Sequence, residues 1–230
     1  MSQLAIVIPY YKIDFFEETL QSVAAQTNKN FTLYIGNDAS PNSPLPLIQK
    51  YFKNADCKYF DYQENLGGKN LALQWERILD NVIEEWFQIL GDDDVIAENF
   101  VEEFYDNLPL AKKENAKVLK LSQCFIDEKG IQTNNFTHYP KISSSKLIWK
   151  SKFIDKHRSS LSEHIFSTNS YKEHHFKTFP LAWFSDDLAV LEMSKGQNII
   201  FIDEAKVFVR MSALNISSLT HNDKEKEKAH

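Results

Sequence analysis

Asp92, Asp93 and Asp94 stand in a row behind the apolar run Trp86 to Leu90 and Gly91. Adjacent carboxylates repel one another, and a cation offsets that repulsion. Mg²⁺ and Mn²⁺ take hard oxygen ligands, typically one or two protein carboxylates completed by substrate phosphates. The triplet alone also suits a solvated turn in which Asp94 caps the next helix. Asn37-Asp38-Ala39-Ser40 closes an earlier apolar run. Asp38 can accept from a base imide or a ribose hydroxyl, although Asn, Asp and Ser are equally ordinary turn residues. Asn65-Leu66-Gly67-Gly68-Lys69-Asn70 offers glycines for close backbone approach and a lysine within reach of a phosphate. It is not a Walker A loop, which has another spacing and a Ser or Thr after the lysine. Phe184-Ser185-Asp186-Asp187 opens a predicted helix. A carboxylate there can act as general base toward a hydroxyl, or simply favour the helix dipole.

These clusters need elements that bring them to one edge. Leu4 to Ile8 is an unbroken apolar run, as a strand covered on both faces requires, and it stops at Pro9. Phe16, Leu20, Val23 and Ala24 share a helical face. Phe31 to Ile35 reads as a second strand. Pro41, Pro44 and Pro46 break the chain behind it, and Leu47 to Phe52 reads as a short helix. Cys57 to Tyr62 is a third strand, Asn65 to Gly68 a turn, and Leu71, Trp75, Ile78, Leu79 and Val82 recur at helical spacing. Trp86 to Leu90 is the fourth strand. This alternation predicts an α/β fold with a mostly parallel sheet and helices on both faces. Ligands of such sheets bind beyond the carboxyl ends of the strands, where three of the polar clusters fall.

The second half is less regular. Val118 to Ile126 predicts a strand turned by Asp127 to Gly130, and Gln132 to Ser145 a polar loop. Residues 157 to 178, with His157, His164, His174 and His175, read as a mobile loop near the site. Asp186 to Ser194 predicts a helix and Ile199 to Ile202 a strand. The alternating charges of Asn222 to His230 predict a frayed tail.

The 230 residues suit one large domain, and 43% hydrophobic residues are enough for a sizeable core. A formal net charge of −6 gives no positive field to attract nucleic acid. Cys57 and Cys124 sit in apolar surroundings and read as reduced core thiols of a cytoplasmic protein. No apolar run reaches the roughly 18 residues that span a bilayer. The start, Met1 to Tyr11, lacks a basic region and a small-residue cleavage site, so no signal peptide is expected.

Taken together and in order, the motifs resemble family 2 glycosyltransferases of the GT-A fold from Leu4 to about Phe104. The family's first strand and Pro-x-Tyr-like turn are matched by Ile6 to Tyr11. Its helix ending Ser-x-x-x-Gln-Thr is matched by Ser22 to Thr27. Its strand ending Asn/Asp-Asp-Gly-Ser is matched by Asn37 to Ser40, with Ala39 in place of Gly. Asn-x-Gly-Gly is Asn65 to Gly68, and the Asp-x-Asp metal motif is Asp92 to Asp94. The resemblance implies a single GT-A domain over 1–221 and a flexible tail over 222–230. Residues 1–105 would form the nucleotide-sugar-binding half and 106–221 an irregular acceptor-side half. It also implies roles. Pro9, Tyr10, Tyr11, Asn37, Asp38, Gly68 and Lys69 would line the donor pocket, with Asp38 near the base and Lys69 facing the ribose or diphosphate. Asp92 or Asp93 would touch the ribose, and Asp94, with Asp92, would hold Mn²⁺ or Mg²⁺. Asp187 or Asp186 would be the base. Val209-Arg210 resembles a Tyr-Arg-x-His stretch whose His position is Ser212 here.

The implied activity is transfer of a sugar, with inversion, from a nucleotide diphosphate donor, UDP-sugar foremost, to a hydroxyl of a carbohydrate or lipid-linked glycan. Peripheral contact with the inner face of the membrane and a homodimer sharing its acceptor site are both compatible with the sequence. A sugar-phosphate nucleotidyltransferase would want a glycine-rich basic loop after the first strand, where Pro9-Tyr10-Tyr11-Lys12 stands. A non-catalytic sugar-nucleotide or carbohydrate-binding module is the rival from another class, separated by an assay for transfer.

Overall fold

The computed structural model describes residues 2–53, 57–154, 159–179, 182 and 184–212. β1 (Leu4–Tyr10) lies between two parallel neighbours. It pairs with β2 (Thr32–Asp38), Tyr10 opposite Asn37, and with β4 (Trp86–Ile89), Leu4 opposite Trp86. β2 pairs in turn with β3 (Cys57–Tyr62). The crossovers are α1 (Phe16–Ala24), α2 (Leu45–Tyr51) and α3 (Leu71–Leu79). Alternation along β1 divides the core between the two faces. Leu4, Ile6 and Ile8 pack with Phe16, Leu20, Phe100 and Phe104, while Ala5 and Val7 pack with Trp75, Ile78, Phe87 and Phe166.

The remaining elements are β5 (Val95–Ile96), α4 (Phe100–Lys113), β6 (Val118–Ile126), β7 (Ile142–Ser144), α5 (Ser145–Ile154), β8 (His164–Ser167), α6 (Thr168–His174), α7 (Ser185–Met193) and β9 (Asn198–Arg210). The sheet runs β3-β2-β1-β4-β8-β6-β9-β5, with β7 on β9. β8 is antiparallel to both β4 and β6, while β6 and β9 are parallel. This is the mixed α/β sheet of a GT-A-like fold, parallel through the first four strands and mixed beyond them.

Several expectations change. The described part of the stretch from 157 to 178 is not a mobile loop: it holds β8 and α6. Ile165 and Phe166 are fully buried in the core, and two polar residues beside them bond to distant carbonyls. Thr168 Oγ1 donates to Glu84 O at 2.7 Å and Ser170 Oγ to Met193 O at 2.6 Å. His157 lies outside the described residues. β2 continues to Asp38, so Asn37 and Asp38 are strand residues rather than turn residues. The short strand expected at Ile199 is the start of a 13-residue strand, in which Ala205, Val207 and Val209 resume the inward alternation after Asp203 and Glu204. The expected loop from Gln132 contains β7 and leads into α5, neither foreseen, and α4 was likewise not foreseen. Cys57 and Cys124 are both free thiols. The tail expected to fray lies outside the described residues.

Candidate functional site

A cleft of about 510 Å³ opens at the carboxyl ends of β1, β2 and β4. Pro9, Tyr11 and Lys12 after β1, Asp38 of β2 with Asn65, Gly67 and Gly68, and Asp92, Asp93 and Asp94 after β4 all line it. Ser160, Leu161 and Ser162, just ahead of β8, complete the wall. The volume is that of an ordinary small-ligand site.

The acidic triplet is fixed from three directions. Asp92 Oδ2 accepts the backbone N–H groups of Tyr11 and Lys12, each at 2.8 Å. Asp94 accepts from Ser162 Oγ and, at 2.8 Å, from Arg210 N. Arg210, fully buried, also donates to Asp93 O at 3.0 Å and to Asp127 O at 3.0 Å, and pairs with Glu18 at 2.5 Å. No group of another described residue hydrogen-bonds the Asp93 carboxylate. Burial raises the Asp93 carboxyl well above the usual range, and repulsion from Asp94 and Asp92 raises it further. Burial raises Asp94 too, outweighing its hydrogen bonds from Ser162 and Arg210. Burial also outweighs the two backbone N–H groups at Asp92, whose carboxyl is raised. Gly91 permits this crowding: a Cβ there would sit 2.8 Å from Asp94 Oδ2.

Asp38 accepts from Leu66 N and Gly67 N, both at 2.8 Å, and pairs with Arg77. The Arg77 guanidinium lies 3.8 Å from the Tyr62 ring centre. A Cβ on Gly67 would meet Asp38 Oδ2 at 2.6 Å, so glycine is what lets the loop close on the carboxylate. Arg77 and Lys12 carry charge at the site that the motifs alone did not single out. Arg77 could have been sought as the one cation on the helix behind the Asn65–Gly68 turn.

Three expected pocket residues stand elsewhere. Lys69 is exposed, with its ammonium on Glu64 at 2.6 Å, and Lys12 is the lysine that lines the cleft. Tyr10 is fully buried against Phe16 and donates to Asn42 O at 2.9 Å. Asn37 turns its amide to Asp61 at 2.8 Å and holds Ser40 N. Both brace the cleft from behind, because odd and even residues of a strand face opposite ways.

Asp186 and Asp187 open α7 but are absent from the cleft wall. Asp187 is nearly buried, ion-paired with Lys152 of α5, and lines a small cavity with Tyr139, Trp149, Ser159 and His164. Burial raises the Asp186 carboxyl, with Asp187 next in effect. Burial alone would lower the Lys152 ammonium, yet the charges of Asp186 and Asp187 outweigh it and raise it.

Among the described residues no group of three or more His, Cys, Asp or Glu is arranged to hold a metal ion. The triplet offers the hard oxygen donors that a divalent cation takes. Repulsion from Asp94 and Asp92 helps to raise the Asp93 carboxyl, and a cation beside the triplet would relieve that repulsion. A cation there would need further oxygens from a ligand, as phosphates supply. Asp94 keeps unused lone pairs for such an ion beside its two hydrogen bonds.

Among the described residues no helix is long and apolar enough to cross a membrane. Among solved structures the chain is similar to TarS of S. aureus. Residues 1–349 of TarS in complex with UDP-GlcNAc superpose with a TM-score of 0.71 at 17% identity, over 92% of this chain and 59% of that one. The same TarS residues in complex with UDP give 0.68 at 18% identity, over 93% and 61%. The teichoic acid poly(glycerol phosphate) polymerase of Staphylococcus epidermidis is 29% identical over 103 residues, 42% of this chain. An uncharacterised glycosyltransferase of Rickettsia conorii is 30% identical over 128 residues, 55% of this chain. The chain spans only 14% and 20% of the length of these two curated relatives. The family described as Glycosyl transferase family 2 matches residues 5–173, which include the whole cleft. With its GT-A-like sheet and more than half its length matched, the chain belongs to glycosyl transferase family 2.

Proposed function

We propose that the chain transfers a sugar from a nucleoside diphosphate donor, a UDP-sugar foremost, onto a hydroxyl of a carbohydrate or lipid-linked glycan, with inversion, in glycan or polysaccharide assembly. One observation carries the reading: Asp38 and the Asp92–Asp94 triplet line a single cleft at the strand ends. Asp38, held by Leu66 N, Gly67 N and Arg77, would receive a base imide or ribose hydroxyl. Asp92 and Asp93 would contact the ribose, and Asp94 with Asp92 would hold Mn²⁺ or Mg²⁺. Such an ion, when bound, offsets charge growing on the leaving diphosphate. Lys12, which also lines the cleft, would add positive charge there. Asp187 or Asp186 would take the acceptor proton; the raised Asp186 carboxyl suits a base working near neutrality. The UDP-GlcNAc and UDP complexes of TarS favour a uridine donor.

A sugar-nucleotide-binding module without turnover is favoured by one feature: Asp187 is occupied by Lys152. Thermal stability with UDP, GDP, dTDP and CDP, with and without Mn²⁺, followed by release of UDP from a UDP-sugar, decides between them. A metal-dependent shift with UDP and turnover supports the transferase. A shift without turnover on any acceptor supports the module, and no shift with any nucleotide overturns both.

A further inference from the structure

Glu163 and Lys120 are each completely buried, and they pair at 2.5 Å across 43 positions of the chain. Their hydrogen bonds are complete. The three Lys120 N–H groups reach Glu163 Oε1, Ser159 Oγ at 3.0 Å and His164 Nε2 at 3.2 Å. Glu163 Oε1 also accepts from Ser159 Oγ at 2.7 Å, while Oε2 accepts Ser160 N at 2.9 Å and Ser160 Oγ at 2.6 Å. Because Lys120 donates to Nε2, His164 carries its proton on Nδ1 and donates it to Ser160 O at 2.9 Å. The knot therefore fixes every residue from Ser159 to His164 except the two between, Leu161 and Ser162. Those two, with Ser160, form the cleft wall.

Ser162 then ties that wall to the acidic triplet. Its Oγ accepts from Gly91 N at 3.1 Å and donates to Asp94, and its carbonyl accepts Gln88 Nε2 at 2.6 Å. A buried ion pair is seldom a gain over apolar residues of the same volume, because desolvation offsets the attraction. A fully satisfied one does fix geometry. We propose that the Glu163–Lys120 pair is a positioning device for the donor site: it sets segment 159–162 so that Ser162 holds Asp94, and the backbone after Gly91, in the arrangement that binds a metal–nucleoside diphosphate. The ligand class rests on the function proposed above; the positioning does not.

The test uses Lys120→Met, Glu163→Gln and the double variant. Each single change leaves a buried group unpaired and lowers thermal stability. The double variant removes both charges and recovers most of that stability. Titration with UDP and Mn²⁺ should nonetheless show binding about tenfold weaker in the double variant, the loss typical when groups supporting a metal ligand are removed. UDP–Mn²⁺ affinity that recovers along with stability in the double variant overturns the proposal, since the pair would then be structural only. Amide exchange at Gly91 reads the positioning without any ligand. Faster exchange in the double variant than in wild type is expected, and unchanged protection overturns the proposal. If the wild-type chain binds no nucleotide while Gly91 exchange still responds, the donor reading fails and the positioning stands.

Discussion

Arg210 N donates to Asp94 Oδ1 at 2.8 Å, joining residues 116 positions apart. Through this bond the last described strand holds the acidic turn after β4. The Arg210 side chain reinforces it by bonding to Asp93 O and Asp127 O. Arg210→Ala should destabilise the fold by about 3 kcal/mol, since it strands buried carbonyls and removes buried packing. Thermal denaturation measures it. Arg210→Lys should recover only part, because an ammonium cannot reach this fan of acceptors with a planar fork.

Gly67→Ala should weaken UDP binding while leaving the fold intact. The added methyl would lie 2.6 Å from Asp38 Oδ2, so the loop must retreat from the carboxylate. A cost of about 1–3 kcal/mol is expected for such overpacking, read as a change in UDP affinity by calorimetry. An unaltered affinity would separate Asp38 from the nucleotide.

The charge on the acidic triplet predicts a pH dependence for metal binding. With its carboxyl raised, Asp93 in the folded chain keeps a proton that the unfolded chain releases near pH 4. The folded state then binds more protons, so this group makes stability fall as pH rises above about 4. A cation takes the proton's place. The thermal shift given by Mn²⁺ with UDP should accordingly grow from about pH 5.5 to about pH 7.5. A shift that is flat across this range contradicts the metal assignment.

His164 predicts acid sensitivity with the opposite sign. Burial, with the Lys120 ammonium next to it, pushes its pKa down from 6.5 to about 3. Between those values the unfolded chain binds the extra proton, so stability falls as pH drops below about 6.5. Burial would raise Glu163, but the Lys120 charge and the hydrogen bonds from Lys120 and Ser159 together hold it down to about 2, which adds a loss that begins near pH 4.5. His164→Gln should remove the upper part of this acid slope, measured by denaturant titration at successive pH values.

Asp187→Asn separates binding from transfer. UDP affinity should stay close to wild type, because Asp187 lies outside the cleft wall. Sugar transfer should drop by at least about 100-fold if this carboxylate takes the acceptor proton. Retained transfer by Asp187→Asn, with loss in Asp186→Asn, would assign the base to Asp186.

The first four strands and the cleft at their ends were legible because their signals coincide. Leu4 to Ile8 is apolar without break, its end is marked by Pro9, and the polar clusters after β2 and β4 sit where parallel strands stop. The support for the site was not legible. Lys120 falls within the apolar run Val118 to Ile126 and Glu163 within a polar stretch, and nothing local signals a partner 43 positions away. Polar composition hid β8 and α6 for the same reason: Thr168 and Ser170 satisfy themselves on distant carbonyls. Lys69 misled because its place after two glycines suggests phosphate contact, whereas Glu64, five residues earlier, is the nearer charge.

The reversed direction of β8 has a consequence for how the molecule can vary. A parallel strand beside β4 would begin at the far edge of the sheet and end at the cleft. Running the other way, β8 begins beside the end of β4, so the residues just before it reach the cleft directly. Among the described residues, the link from β6 to β8, which carries β7 and α5, lines the cleft only through its final few residues. Under the proposed function, strand polarity alone would leave the rest of that link free to answer to the acceptor while its last residues stay with the donor.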